Sequence, residues 1–180
     1  MNIANILTLI RILLVPVFIM FFYLQIPYQY VYALIVFLIA SVTDFLDGVI
    51  ARKYNLVTDF GKLMDPMADK LLVSAGVIML VSIGKIHPVL AIILIGREFI
   101  ISSFRLVAAS KGTILAAGSL GKVKTVFQLG GICFLLIEDM LPGILKYAGD
   151  VLIYISVIFA IWSSIDYIMK NKSVLDFKDI

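Results

Sequence analysis

Histidine and cysteine are almost missing from this chain, which carries one of each, His87 and Cys133. With a lone cysteine set in an apolar run, no disulfide framework is available and no thiol chemistry follows. Charge is scarce too: 15% of the 180 residues are charged, and a formal net charge of +3 is too small to argue for nucleic acid as a partner. The start of the chain lacks the basic segment and small-residue cleavage site of a secretory leader. Its apolar run holds Pro16 and continues to Leu24, so it is expected to be a retained membrane helix. No repeat, low-complexity tract or second domain is evident, and residues 1–180 read as one domain.

Apolar residues are what the chain has in excess, 62% of the total with a mean hydropathy of +1.10. A soluble domain of this length could not hide so much apolar surface, so a bilayer is expected to solvate most of it. The pattern predicts an all-α polytopic membrane protein with six crossings, near residues 6–24, 28–51, 63–83, 89–109, 122–137 and 146–169. The first is about 28 Å long at 1.5 Å per residue, enough for the hydrocarbon core. Gly61 lies in the linker expected between the second and third segments, and Pro66 suits the first turn of the third. His87 reads as a turn residue and Trp162 as a membrane-embedded aromatic.

Six crossings place both termini on one side. Assigning the linkers after the second and fourth segments to that side gathers there all fifteen basic residues except Lys85 and Lys146. The positive-inside rule then predicts cytoplasmic termini. Four carboxylates fall on the same side: Asp44 and Asp47 at i, i+3, and Asp65 and Asp69 at i, i+4. On helices each spacing puts both members of a pair on one face. Carboxylates bordering apolar segments are costly without a compensating cation, so the spacing proposes a metal site. If the second and third segments pack antiparallel, all four acids converge on a cytoplasm-facing cavity. Oxygen donors without His or Cys suit hard divalent ions, Mg²⁺ or Mn²⁺.

The fourth segment carries a second anomaly. Arg97 lies about 12 Å into a membrane of about 30 Å, where a charge is expensive unless it faces a polar cavity. Arg105 lies two turns nearer the cytoplasm, and Glu98 falls on nearly the same stripe as Arg105. An ion-pair network is one reading. An anion site is the other, favoured because Arg11, Lys122 and Lys124 approach from other segments and Glu98 cannot neutralise them all. Metals on one wall and arginines on another suit metal-dependent phosphoryl or phosphatidyl transfer on a membrane lipid.

The pattern Asp44-x2-Asp47-Gly48-x2-Ala51-Arg52-x8-Gly61-x3-Asp65-x3-Asp69 resembles the full signature of the CDP-alcohol phosphotransferases, with every fixed residue and gap present. Outside it, Asn5 to Arg11, Arg97-Glu98 and Gly121-Lys122-x-Lys124-Thr125 look like the glycerophosphate-accepting branch of that family, the bacterial phosphatidylglycerophosphate synthases. Ala4 departs from the proline expected before Asn5, a difference of helix entry rather than chemistry.

The resemblance implies a six-helix homodimer in the bacterial inner membrane that binds two divalent metals and CDP-diacylglycerol. Asp44, Asp47, Asp65 and Asp69 would bind metal, with Asp69 also the general base. Asp47, Gly48, Ala51, Arg52 and Gly61 would line the CDP part of the site. Thr8, Arg11, Arg97, Arg105, Lys122 and Lys124 are the candidates for the acceptor phosphate. The implied reaction transfers the phosphatidyl group to sn-glycerol 3-phosphate, releasing CMP. Another alcohol, inositol phosphate or serine, could replace that acceptor. Of the rivals outside the family, an intramembrane prenyltransferase does not explain the Gly-x2-Ala-Arg continuation. An ion transporter would be expected to show interrupted helices or inverted repeats.

Overall fold

The computed structural model describes residues 3–53, 59–113, 115–116 and 118–172, and the side chains at 3–5, 44–53, 59–63 and 65 lie outside this description. Among the described residues six α-helices follow one another: α1 Ile3–Met20, α2 Gln29–Lys53, α3 Asp59–Ser82, α4 Pro88–Ser110, α5 Ser119–Leu136 and α6 Ala148–Lys170. Two short 3₁₀ turns, Glu138–Met140 and Gly143–Tyr147, connect α5 to α6. No strand occurs among the described residues. The all-helical expectation therefore holds.

The helix ends differ from the sequence expectation in instructive ways. α1 stops at Met20 although apolar residues continue to Leu24, because the chain tightens into a turn in which Phe22 and Tyr23 donate to the carbonyls of Ile19 and Met20. α3 begins at Asp59, four residues before the expected start, so Gly61 is helical and Pro66 lies beyond the first turn. An acidic residue at a helix N-terminus is favoured by the macrodipole, and the apolar pattern starting at Leu63 could not register that. α3 and α4 both end on a left-handed glycine, Gly84 and Gly112, each with φ +76°. Lys85 N–H then closes on the Leu80 carbonyl and Thr113 N–H on that of Ala108, each at 2.9 Å. At the start of α4, His87 Nδ1 accepts from the Val89 N–H at 3.3 Å and Pro88 occupies the first turn.

The chain forms two compact units. The first comprises residues 1–85 and 136–142 and packs α1 against both α2 and α3, which also touch each other. Its core is aromatic: Phe18 lies edge-on to Phe22, with ring centroids 5.2 Å apart, and is tilted 5.6 Å from Phe37. Lys85 ties its connecting segments by pairing with Glu138 at 3.5 Å and Asp139 at 3.0 Å.

The second unit, residues 86–135 and 143–180, packs α4, α5 and α6. α5 and α6 approach at small residues. A Cβ built on Gly149 would lie 2.7 Å from Leu135 Cγ and 2.9 Å from the Leu135 backbone nitrogen, and one on Gly131 would meet Ile153 Cδ1 at 2.8 Å. Backbone cannot step aside as a side chain can. Gly149→Ala is therefore expected to cost about 1–3 kcal/mol, seen as a lower midpoint of thermal unfolding in detergent.

Polarity is distributed inside out. Ile92, Leu106, Val126 and Trp162 are largely exposed, whereas Thr8, Arg11, Lys124, Gln128, Ser156 and Ser163 are buried. Soluble proteins rarely bury Arg or Lys fully, while membrane bundles point such groups inward. Among the described residues, Ser119–Leu136 and Gly143–Lys170 are long and apolar enough to cross a membrane, and Ile6–Met20 and Gln29–Thr43 form shorter apolar stretches.

Candidate active site

The four aspartates lie on the C-terminal half of α2 and the N-terminal half of α3, two helices in contact. Five residues join the helices, a length that favours antiparallel neighbours. Asp47 and Asp65 are each six residues from the facing helix ends, Lys53 and Asp59, or about 9 Å at 1.5 Å per residue. Asp44 lies nine residues in and Asp69 ten, about 14 and 15 Å. With α2 and α3 antiparallel, the acids would fall at two matched depths, Asp47 with Asp65 and Asp44 with Asp69.

Asp69 is half-buried. The side chains of Asp44, Asp47, Ala51, Arg52 and Asp65, and the surroundings of Gly48 and Gly61, lie outside this description, and so do the roles expected of these residues. Among the described residues no group of three or more metal-ligating side chains occurs. The chemistry of the donor set on α2 and α3 nevertheless fits a hard divalent cation: four aspartates, with no nitrogen or sulfur donor of His or Cys type between positions 44 and 69.

The expected acceptor residues divide between the units. Thr8 and Arg11 are on α1, both fully buried. Arg97, Arg105, Lys122 and Lys124 are in the second unit. There Glu98 Oε1 accepts from Lys124 Nζ at 2.7 Å and from Arg97 Nη1 at 3.1 Å. These side chains are 1% exposed for Lys124, 14% for Arg97 and 20% for Glu98, so the cluster is well shielded. Two cations share one oxygen of Glu98, so the ion-pair network expected as one of the two readings is present. Arg105 and Lys122 are exposed.

Ser163 of α6, which a reading of sequence alone misses, takes a hydrogen bond from Arg97 Nη2 at 3.2 Å, and Gly121 of α5, legible only as part of a matching segment, gives the guanidinium room. A Cβ on Gly121 would lie 2.7 Å from Nη2. The guanidinium is the far end of a flexible chain and can swing away cheaply, so Gly121→Ala should leave thermal stability near wild type. It is expected to raise the KM for a phosphate-bearing acceptor by about tenfold, the equivalent of one hydrogen bond to a charged group. An unchanged KM would separate Arg97 from acceptor binding.

Apolar exposed faces, buried cations and two aspartate pairs on the contacting helices α2 and α3 suit an enzyme of phosphate groups rather than a passive helical core. The comparisons agree in kind. A family model described as CDP-alcohol phosphatidyltransferase matches residues 1–162, and the chain belongs to that family and is an enzyme of its class. It is 38% identical over 187 residues to a CDP-diacylglycerol--glycerol-3-phosphate 3-phosphatidyltransferase of Bacillus subtilis (strain 168), covering 97% of each chain. Proteins of the same name from Rickettsia bellii and Escherichia coli K12 are each 36% identical to it. These alignments cover 95% of this chain and 96% of the relative in the first case, and 97% of each in the second.

Proposed function

We propose that this enzyme transfers the phosphatidyl group of CDP-diacylglycerol to sn-glycerol 3-phosphate, giving phosphatidylglycerol phosphate and CMP. The observation that carries the reading is the complete acidic signature, carried by the two contacting helices α2 and α3. Near end-to-end similarity to relatives that bear this activity in their names supports it. The chain is read as a single membrane domain with six crossings, working as a homodimer in the bacterial plasma membrane with termini and active site towards the cytoplasm.

Asp44, Asp47, Asp65 and Asp69 would hold Mg²⁺ or Mn²⁺, two ions in all. Bound there, such ions would supply charge neutralisation and Lewis-acid polarisation for the donor's diphosphate. Asp47, Gly48, Ala51, Arg52 and Gly61 hold the CDP portion, small residues leaving space for the nucleotide. Arg97 and Lys124, with Thr8, Arg11, Arg105 and Lys122, bind and orient the acceptor phosphate by charge-assisted hydrogen bonds. The Asp69 carboxylate takes the proton of the acceptor's primary hydroxyl. That oxygen forms a bond to the lipid-side phosphorus, the diphosphate P–O bond breaks, and CMP leaves with the electron pair. The lipid chains never have to quit the bilayer.

The test is release of CMP from CDP-diacylglycerol by purified protein, with Mg²⁺ or Mn²⁺ and a panel of alcohols. Release that requires the divalent ion and is fastest with sn-glycerol 3-phosphate is expected. Release fastest with serine or inositol phosphate would reassign the acceptor, and none with any alcohol would overturn the enzyme reading.

A further inference from the structure

The second unit holds a buried polar side chain that the proposed reaction leaves unused. Gln128 lies one turn beyond Lys124 on α5, so the two side chains share a face of the helix. Both are 1% exposed. Lys124 reaches Glu98, whereas the Gln128 carbonyl oxygen, Oε1, is buried and has no hydrogen-bond partner among the described residues. Arg97 Nε in the same unit is buried and unpartnered as well. Buried polar atoms are nearly always satisfied, and the exceptions need an explanation. An amide in an apolar helix could have been replaced by a leucine or methionine at no cost in packing type. What Oε1 lacks is a donor, and one carried by a hydroxyl would suit it.

We infer that Gln128 is a specificity-determining residue that accepts a hydrogen bond from the secondary hydroxyl of the acceptor alcohol. The inference rests on the reading of the Arg97–Lys124 cluster as the acceptor-phosphate site. In sn-glycerol 3-phosphate the C2 hydroxyl is on the carbon next to the one bearing the phosphate. A phosphate held by Lys124 would therefore bring that hydroxyl within reach of a group four residues on, about 6 Å along α5. Charge selects a phosphorylated acceptor but cannot tell one carbon skeleton from another. A fixed carbonyl next to the charged pair can, because an analogue without the hydroxyl leaves it unsatisfied.

The experiment compares sn-glycerol 3-phosphate with 3-hydroxypropyl phosphate, which keeps the phosphate and the primary hydroxyl and lacks only the C2 hydroxyl. Wild-type enzyme is expected to favour the former by at least about tenfold in kcat/KM. Gln128→Met, of similar length but without the acceptor, should bring the ratio to within about twofold, almost all of the change being lost rate with glycerol 3-phosphate. Gln128→Glu keeps an oxygen in place and should keep the preference. If Gln128→Met slows both acceptors equally, or if wild type shows no preference, the inference is overturned. Should Gln128→Met fail to fold, as judged by its thermal transition in detergent, Gln128→Glu carries the test, and loss of the preference there overturns it. Wild-type turnover with a non-phosphorylated alcohol but with neither phosphate-bearing one would instead overturn the acceptor reading beneath it.

Discussion

Asp69→Asn is expected to slow CMP release by about 10²–10⁴-fold, the usual worth of a positioned general base, while leaving the thermal transition close to that of wild type. Asparagine has the shape of aspartate and retains a carbonyl oxygen, but it cannot take up a proton near neutral pH. Asp69 is half-buried on α3, ten residues from the helix start, where the backbone is held by packing of α3 against α1. The neighbouring Ala68, Leu72 and Val73 are buried, so the helix face is anchored independently of the carboxylate. Loss of rate with the fold intact therefore reads on chemistry. A metal titration of the variant separates the two roles given to this residue. If activity returns at high divalent ion, Asp69 acts chiefly by binding the ion; if it stays low at saturation, Asp69 acts as the base. Near-wild-type turnover would remove it from both.

The reach of the sequence was uneven, for physical reasons. The acidic pairs were legible because helical periodicity is local: spacings of three and four residues fix a shared face before any tertiary contact is known. Their matched depths on α2 and α3 needed only the antiparallel packing that a short connection favours. Helix ends were less legible, since hydropathy registers where apolar residues run and not where the backbone turns. Phe21 to Tyr23 are as apolar as the helix they terminate, and Gly61, a residue that reads as a breaker, is helical. Partnerships across the bundle were hidden altogether. Lys124 meets Glu98 from 26 positions away, and Ser163 meets Arg97 from 66. Gln128 passed unnoticed because one amide barely changes the apolarity of an eighteen-residue helix, and only its burial exposes its missing partner.

Glu98→Leu is expected to lower stability by about 3 kcal/mol, at the lower end of the 3–5 kcal/mol seen when one partner of a buried ion pair is removed. The lower end applies because hydrogen bonds between membrane helices are worth only about 0.6–2 kcal/mol and Glu98 is itself partly accessible. Glu98 Oε1 accepts from Lys124 Nζ and Arg97 Nη1, on α5 and on α4 itself, so its loss removes a link between two helices as well as a counter-charge. Glu98→Gln keeps an oxygen at that point and drops only the charge, and should cost about 1 kcal/mol, one ordinary hydrogen bond's worth. Thermal unfolding in detergent measures both. The double variant Glu98→Leu with Lys124→Met decides what the loss means. Replacing both partners by apolar groups removes the buried cation along with its carboxylate, so the pair should regain much of the stability that Glu98→Leu loses. If the double variant instead loses the sum of the two single effects, Glu98 and Lys124 are not energetically coupled. In that case the two cations would stay buried without depending on this carboxylate. If the coupling is strong, Glu98 is the group that allows Lys124 to stay buried in an apolar bundle.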